Sequence, residues 1–321
     1  MEPTRYQHLE LQLINFKMNR RTFTASSILT SLGLAAAPNI IAGQNKFNKY
    51  KFNLKYAPHI GMFRNLAGDD PIDQLNFMAD QGFTAFEDNN MGTRPISLQE
   101  KMASTMQKRG LEMGVFVGYK DFKNPTLSGG KDEARKDFLK QIRGSVEVAK
   151  RVNAKWFTVV PGTIELRLAE DYQTANVIES LKQATSILEP NGLVMVLEPL
   201  NWYRNHPGLF LRESPQAFNI CKAVKSPSCK ILFDIYHQQI QEGNLIPNIE
   251  KCWNEIGYFQ IGDNPGRKEP TTGEINYKNI FKYIHGKKFT GILGMEHGNS
   301  KPDRVGELAV IEAYKLVDSF M

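Results

Sequence analysis

Four short apolar segments in the second half of the chain each end in a residue with a side-chain oxygen. These residues are Glu198, Asp234, Gln260 and Glu296. If the segments are neighbouring parallel strands, their carboxyl ends share one edge of a sheet and the four side chains converge there. Three buried carboxylates repel one another, and a divalent cation relieves that repulsion. Carboxylate and amide oxygens form a hard ligand set, which predicts one Mn²⁺ or Mg²⁺ ion.

Each of these residues also has a purely structural explanation. A carboxylate at a strand end commonly caps the next helix or pairs with a basic side chain. All four oxygens at successive strand ends favour the metal site over that explanation. His237, three residues after Asp234, could hydrogen-bond a substrate hydroxyl or hold a metal ligand in place.

Basic and aromatic residues near other strand ends are candidates for substrate binding. Arg267 could grip a substrate carboxylate or hydroxyl groups through its fork of donors, or order its loop by pairing with a nearby glutamate. His59 and Phe63 follow the first strand and are expected to cap the pocket. Lys120, beyond the third strand, is interpreted as an exposed loop lysine.

The segments that must position these side chains alternate between strand and helix patterns from Lys51 onward. The predicted strands are Phe52–Ala57, Phe83–Glu87, Glu112–Gly118, Trp156–Val160, Val194–Pro199, Lys230–Ile235, Gly257–Gly262 and Gly291–Glu296. The predicted helices are Pro71–Gln81, Ser97–Arg109, Lys131–Val152, Asp171–Leu188, Ser214–Val224, Ile246–Ile256, Tyr277–His285 and Asp303–Phe320. Short apolar strands that each precede an amphipathic helix predict an α/β fold, a closed (β/α)₈ TIM barrel over residues 46–321. A doubly wound open sheet is the alternative, but no GxGxxG motif follows the first strand.

Length and composition agree with one globular barrel domain. The chain has 321 residues, of which 41% are apolar. The net charge of +6 is the difference between 40 basic and 34 acidic residues, which is too small to indicate a nucleic-acid partner. The three cysteines show no CxxC spacing and are interpreted as buried thiols, although a disulfide between two of them is possible.

The first 45 residues have the pattern of a bacterial export signal and linker. Asn19-Arg20-Arg21-Thr22-Phe23 precedes an uncharged, mildly apolar stretch from Ala25 to Ala37, with small residues after it. This pattern resembles twin-arginine signals, and it predicts an exported, periplasmic protein whose translation starts at Met18. An amphipathic helix of the domain is the alternative. No apolar run is long enough to span a membrane.

Two groups of motifs resemble a known superfamily. Leu197–Asn201 together with Asp234–His237 is similar to the xylose-isomerase-like sugar isomerases and epimerases. The eighteen-residue run from Gln260 to Tyr277 resembles the hydroxypyruvate isomerase family more closely still. The resemblance covers Lys51 to the carboxyl terminus. It implies a TIM-barrel isomerase in which Glu198, Asp234, Gln260 and Glu296 bind the metal.

The resemblance also implies that Glu198 and Glu296 act as proton donor and acceptor. The chain departs from the family at Tyr258, where histidine is usual, and in the bulky run Trp202–Gly208. These departures leave the substrate open. The expected activity is interconversion of a small hydroxy-aldehyde and hydroxy-ketone pair through an enediolate, as in hydroxypyruvate isomerase. Homo-oligomers are common in the superfamily, so a homo-oligomer is possible.

Three other activities remain as alternatives. The first is a ketose 3-epimerase or another sugar isomerase on the same site. The second is an endonuclease, which needs more histidine ligands than the six histidines of this chain offer. The third is an exported sugar-binding barrel without activity, against which the intact ligand set argues.

Overall fold

The computed structural model describes residues 49–320, which belong to one compact unit spanning Phe47–Met321. The predicted export signal therefore lies outside the part of the chain that the structure describes. Among those residues, no helix is both long and apolar enough to cross a membrane.

Parallel strands line the centre of the fold. They are β1 (Lys55–Ala57), β2 (Ala85–Phe86), β3 (Glu112–Met113), β4 (Val117–Lys120), β5 (Trp156–Val160), β6 (Val194–Leu197), β7 (Cys229–Asp234), β8 (Ile256–Gln260) and β9 (Ile292–Gly294). Seven of them form one sheet in the order β1-β9-β8-β7-β6-β5-β4, and β2 pairs with β3. All seven strand pairs among the described residues are parallel, as the alternation of strands and helices predicts.

The third predicted strand, Glu112–Gly118, is divided into β3 and β4, and this division closes the barrel. The first part, β3, pairs with β2, and just beyond it Gly114 N donates to Phe86 O at 2.7 Å. The second part, β4, pairs with β5. Between β1 and β2 the closure consists of the bridge between His59 and Glu87. The prediction of a single continuous strand was wrong, because no one stretch of this strand pairs with both neighbours.

Helices cover the outside of the barrel. They are α1 (Arg64–Ala67), α2 (Pro71–Gln81), α3 (Ile96–Arg109), α4 (Asp132–Val152), α5 (Glu170–Leu188), α6 (Ser214–Val224), α7 (Ile235–Gln241), α8 (Leu245–Cys252), α9 (Tyr277–Gly286) and α10 (Asp303–Asp318). The eight predicted helices are present with small shifts at their ends. The short helices α1 and α7 were not predicted, because neither is long enough to show an apolar periodicity.

A small apolar cluster fills the inside of the barrel, and large apolar side chains fill the layer between the strands and the helices. Tyr56, Phe157, Phe233 and Phe259 are each at most 1% exposed. Cys221, Cys229 and Cys252 are free, buried thiols, as the sequence indicated. This packing holds the carboxyl ends of the strands in a fixed arrangement, on which the polar side chains stand.

Candidate active site

The strand ends bring the four predicted ligand residues to one place. Asp234 and Gln260 are direct neighbours across β7 and β8, and Glu198 follows the last residue of β6. Glu296 lies two residues beyond β9. Glu198 and Glu296 line a cavity of about 220 Å³ at this end of the barrel, while Asp234 and Gln260 are each only 1% exposed.

Asp234 serves both as a helix cap and as a possible ligand. Its Oδ1 atom accepts hydrogen bonds from the backbone N–H groups of Tyr236 at 2.8 Å and His237 at 3.1 Å, which begins helix α7. Its Oδ2 atom is buried and has no hydrogen-bond partner among residues 49–320. Burial raises the pKa of Asp234, and the guanidinium of Arg267 opposes that rise.

The amide group of Gln260 contacts a buried carboxyl group, that of Glu87, the residue that follows β2. Its Nε2 atom lies 3.5 Å from Glu87 Oε1, and the Tyr258 hydroxyl donates to Glu87 Oε2 at 3.0 Å. Because the amide nitrogen faces Glu87, the Oε1 atom of Gln260 is the free end, and it has no donor among the described residues. Burial raises the pKa of Glu87 well above its ordinary value of 4.5, and Glu296 adds to the rise.

Both carboxylate oxygens of Glu296 accept hydrogen bonds from side chains. Its Oε1 atom accepts from Asn89 Nδ2 at 2.8 Å, and its Oε2 atom accepts from Arg267 Nη2 at 2.6 Å. The same guanidinium nitrogen lies 3.5 Å from Asp234 Oδ2. Arg267 therefore pairs with the acidic site itself, and not with Glu269 or Glu274 as the alternative interpretation required.

Glu198 has a strongly perturbed electrostatic environment. Burial raises its pKa well above its ordinary value of 4.5, and the nearby carboxylates of Glu296 and Asp234 raise it further, while Arg267 lowers it. A carboxyl group with a raised pKa keeps its proton to higher pH than an ordinary glutamate does, which suits an acid–base catalyst.

The side-chain oxygen atoms at the site are suitable ligands for a hard divalent cation. Two buried acceptors, Asp234 Oδ2 and Gln260 Oε1, lack a donor within the described part of the chain. Leaving a buried polar atom unsatisfied costs about 1–3 kcal/mol, and a cation would satisfy both atoms. Carboxylate oxygens of Glu198 and Asp234 lie within 4.8 Å of each other, close enough to share one ion.

His237 acts as a hydrogen-bond donor towards the site. The Oδ1 atom of Asn201 accepts from two backbone N–H groups, so its Nδ2 atom is the donor to His237 Nδ1, at 2.6 Å. Burial lowers the pKa of His237 well below its ordinary value, so the ring is neutral and its single proton is on Nε2. A protonated Nε2 atom does not bind a metal, so this tautomer leaves His237 as a hydrogen-bond donor without a partner among the described residues, and its role in substrate binding stays a prediction.

The two candidates after the first strand lie elsewhere. Phe63 is fully buried and packs against Phe77 and Phe83, in the layer between barrel and helices. The Nδ1 and Nε2 atoms of His59 face the backbone oxygens of Ile60 and His297, at 2.9 and 3.1 Å, and a protonated ring nitrogen donates to the oxygen that it faces. Neither residue is among those that line the cavity, which corrects the expectation that they cap it. The region after β1 turns outward to form α1, which the sequence pattern did not reveal.

Several residues at the site were missed by sequence reasoning. Glu87 and Asn89 contact predicted ligands, and Lys120, Thr158 and His206 line the cavity. The polar run after the second strand was a usable signal for the first two. The other three carried no signal, because isolated polar residues near strand ends are common.

The fold and site define a (β/α)₈ barrel with an acidic site at the carboxyl ends of its strands. The chain belongs to the xylose isomerase-like TIM-barrel family, whose model matches residues 75–315. It is 31% identical over 161 residues to hydroxypyruvate isomerase of Escherichia coli, a match that covers 50% of this chain and 62% of that protein. It is 27% identical over 250 residues to 2-oxo-tetronate isomerase of Pectobacterium atrosepticum, which covers 76% of this chain and 91% of that protein.

The solved structures agree on the fold. The crystal structure of 3-keto-D-glucoside 4-epimerase from Escherichia coli is 18% identical and superposes with a TM-score of 0.68, covering 82% of this chain and 98% of that chain. At this identity the likeness shows the fold alone. The chain spans 44–62% of the length of the first four curated relatives it matches, which are named hydroxypyruvate isomerase or putative hydroxypyruvate isomerase.

Proposed function

We propose that the protein is a metal-dependent isomerase of hydroxypyruvate or a related small hydroxy-carbonyl compound. The observation that carries this proposal is the arrangement of Glu198 and Glu296 on one cavity with Asp234 and Gln260, whose free oxygen atoms are buried without donors. The names of the curated relatives, hydroxypyruvate isomerase and 2-oxo-tetronate isomerase, support the same reaction class.

The reaction moves one proton between two adjacent carbon atoms. One of the two glutamates, Glu198 or Glu296, removes the proton from the carbon that carries the hydroxyl group, and the other returns a proton to the former carbonyl carbon. The hydroxyl proton passes from one oxygen to the other through the enediolate. His237 Nε2–H is placed to donate to one of these oxygens.

A bound cation would supply positive charge next to the substrate oxygens. Mn²⁺ or Mg²⁺ held by Glu198, Asp234, Gln260 and Glu296 would stabilise the negative charge that develops on the two substrate oxygens. Arg267 pairs with Glu296 and Asp234 and holds these carboxylates in position around the cavity.

The test combines metal analysis with isotope exchange. We expect about one Mn²⁺ or Mg²⁺ per chain by elemental analysis, since the site has ligands for a single ion. With Mn²⁺ added, the protein should incorporate solvent deuterium into hydroxypyruvate. Glu198→Gln and Glu296→Gln should each lower the exchange rate at least about 100-fold, because each removes an acid–base group.

A matched control distinguishes loss of a glutamate at the site from loss of one negative charge elsewhere in the protein. Glu133→Gln changes an exposed glutamate of α4 and should leave exchange unchanged. The proposal fails if the metal-loaded protein exchanges no hydrogen in hydroxypyruvate or in a panel of ketoses. A non-catalytic sugar-binding barrel would then be the better explanation.

A ketose 3-epimerase is the second candidate, because two glutamates that share a cavity also suit proton removal and return at a single carbon. The product distinguishes the two activities. An isomerase shifts the carbonyl group to the neighbouring carbon, whereas an epimerase inverts one hydroxyl-bearing carbon and leaves the carbonyl group in place. Nuclear magnetic resonance of the products formed from hydroxypyruvate and from ketoses decides between them.

A further inference from the structure

One wall of the cavity is basic and aromatic, and none of its side chains is used by the proposed metal site. The exposed Lys120, the last residue of β4, lines the cavity together with Phe122 and His206, which lie in the loops after β4 and β6. We call these three residues the basic wall. The rings of Phe122 and His206 stack with centroids 5.1 Å apart and an angle of 23°, and Lys120 Nζ lies 5.7 Å from the Phe122 ring centre.

The polar groups of the basic wall have unused hydrogen-bonding capacity. Lys120 forms no ion pair and no side-chain hydrogen bond within residues 49–320, and the imidazole of His206 has no hydrogen-bond partner there. Burial lowers the pKa of His206, with Arg267 adding to that effect, so its ring is neutral and retains one N–H donor. Thr158, on the neighbouring β5, also lines the cavity, and its buried hydroxyl lacks a partner in the same range.

Arg267, the other basic side chain at the cavity, is already engaged. Its Nη2 atom lies 2.6 Å from Glu296 and 3.5 Å from Asp234, and its guanidinium lies 5.0 Å from the Tyr236 ring centre. The carboxylates therefore balance its charge, which makes it a poor partner for a further anion. The sequence left open a substrate carboxylate, substrate hydroxyl groups or a loop glutamate as the partner of Arg267, and the structure pairs it with Glu296 and Asp234.

A charge count at the cavity indicates what the basic wall binds. A divalent cation and Arg267 would together neutralise the three predicted ligand carboxylates, Glu198, Asp234 and Glu296, and the Lys120 ammonium has no carboxylate partner at the cavity. The positive charge of Lys120 then remains, and a substrate with one negative charge would balance it. An unbalanced cation in a partly enclosed cavity favours anionic ligands over neutral ones.

We propose that Lys120 and His206 form a carboxylate subsite, which selects a monoanionic keto acid over a neutral sugar. This inference rests on the proposed isomerase function and specifies its substrate class. The Lys120 ammonium supplies the charge, the His206 ring supplies a neutral donor, and Phe122 holds the two side chains in place through its contacts with both. The reacting carbons of the substrate then face Glu198 and Glu296.

The test compares two substrates that differ only in the carboxylate. Hydroxypyruvate and dihydroxyacetone undergo the same proton transfer, but dihydroxyacetone has a hydroxymethyl group where hydroxypyruvate has its carboxylate. In deuterium-exchange assays with Mn²⁺, we expect the wild-type protein to prefer hydroxypyruvate in kcat/KM. Lys120→Met should lower this preference about 10- to 100-fold, mainly through KM, because a charged hydrogen bond is lost.

Control variants make the outcome specific. Lys123→Met changes an exposed lysine of the loop after β4 that does not line the cavity, and it should leave the preference unchanged. Lys120→Arg should restore most of the preference. An unchanged preference in Lys120→Met, with both compounds still exchanging, overturns the subsite and leaves the isomerase proposal intact. If the wild-type protein exchanges hydrogen in neither compound and in no ketose of the panel, the isomerase proposal itself is overturned.

A second variant tests the contribution of the imidazole. His206→Phe keeps an aromatic ring against Phe122 but removes both ring nitrogens, so the stacking contact is retained. We expect the preference for hydroxypyruvate to fall about 2- to 10-fold, as for the loss of a neutral hydrogen bond. A melting temperature equal to that of the wild-type protein would show that the variant is folded, and an unchanged preference would then remove His206 from the subsite.

Discussion

At the scale of single residues, the orientation of Gln260 depends on a residue far away in the chain. Glu87 accepts from Tyr258 and faces the amide nitrogen of Gln260, which leaves the amide oxygen free. Gly294 makes room for this carboxyl group, because a Cβ atom there would lie 1.9 Å from Glu87 Oε2. Tyr258, where the family usually has histidine, is thus part of the support for the predicted metal ligand.

Gly294→Ala tests this support. The added methyl group must displace Glu87 and with it Gln260, so we expect a loss of about 1–3 kcal/mol in the free energy of unfolding, together with weaker Mn²⁺ binding. Urea denaturation and calorimetric metal titration measure the two effects. Gly144→Ala is the control, since nothing lies within 4 Å of a Cβ atom at that position in α4. Equal stability of the two variants would contradict the argument.

Two substitutions separate the two roles of Asp234, as the cap of helix α7 and as a predicted metal ligand. Asp234→Asn keeps an oxygen that can accept from Tyr236 N and His237 N, but it removes the charge, whereas Asp234→Ala removes both. We expect both variants to bind Mn²⁺ more weakly, and the alanine variant to be about 1 kcal/mol less stable than the asparagine variant through loss of the cap. Equal stabilities by urea denaturation would show that the cap contributes nothing.

At the scale of structural elements, the loop after β8 is organised by one carboxylate. Asp263 accepts hydrogen bonds from the backbone N–H groups of Asn264, Thr272, Gly273 and Ile275, at 2.9–3.1 Å. The loop so formed contains Arg267, whose backbone N–H donates to Asp263 O at 2.7 Å. The position of Arg267 at the acidic site is therefore a consequence of the loop fold.

Asp263→Ala should disrupt this loop. Several charge-assisted hydrogen bonds are lost at once, and each is worth about 1.5–3 kcal/mol, so we expect a loss of roughly 3 kcal/mol in stability once the loop relaxes. Deuterium exchange into hydroxypyruvate should fall as well, because Arg267 is displaced. Asp69→Ala is the control, since Asp69 forms only an exposed ion pair with Arg64. Loss of stability without loss of exchange would show that the loop does not position Arg267.

At the scale of the whole molecule, the acidic site couples stability to pH and metal. In the metal-free protein, burial raises the pKa values of Glu87, Glu198 and Asp234. A raised carboxyl pKa contributes stability that is fully present below the ordinary value, about 4 to 4.5 for these groups. That contribution is lost as the pH rises through the raised values of the folded protein. These groups therefore destabilise the metal-free fold towards alkaline pH.

Metal should reverse this effect. At a fixed Mn²⁺ concentration about 100 times the Kd at pH 8, binding adds about 2.7 kcal/mol, which corresponds to roughly 4–5 °C in Tm for a chain of this size. We expect the rise to be larger at pH 8 than at pH 5, because protonated carboxyl groups bind metal poorly. Differential scanning calorimetry with EDTA or Mn²⁺ at both pH values measures it. A rise that is equal at both pH values would contradict the assignment of these carboxylates as ligands.

Export of the protein remains a prediction from residues 19–43. Replacing Arg20 and Arg21 by lysine removes the twin-arginine pair while keeping the charge, so we expect export to be lost and the protein to stay in the cytoplasm. Fractionation of bacterial cells that express both forms, followed by immunoblotting, measures this. Equal distribution of the two forms would refute a twin-arginine signal.

The sequence by itself determined the class of fold and the strand ends that carry the site. Apolar runs of strand length alternate with helical periodicities, and this order dictates parallel strands whose carboxyl ends meet. Glu198, Asp234, Gln260 and Glu296 could therefore be chosen from local pattern alone. The fold is confirmed by the structure and by the family match.

Only the tertiary structure decided what these residues contact. Glu87 and Tyr258 are 171 positions apart, and Phe122 and His206 come from different loops, so no local pattern could pair them. The same limit explains why Phe63 was expected to cap the cavity although it packs in the core, and why the pairing of Arg267 with Glu296 was not predicted. Periodicity specifies which face of an element is buried, but contacts between distant segments depend on the register and the loops of the closed barrel.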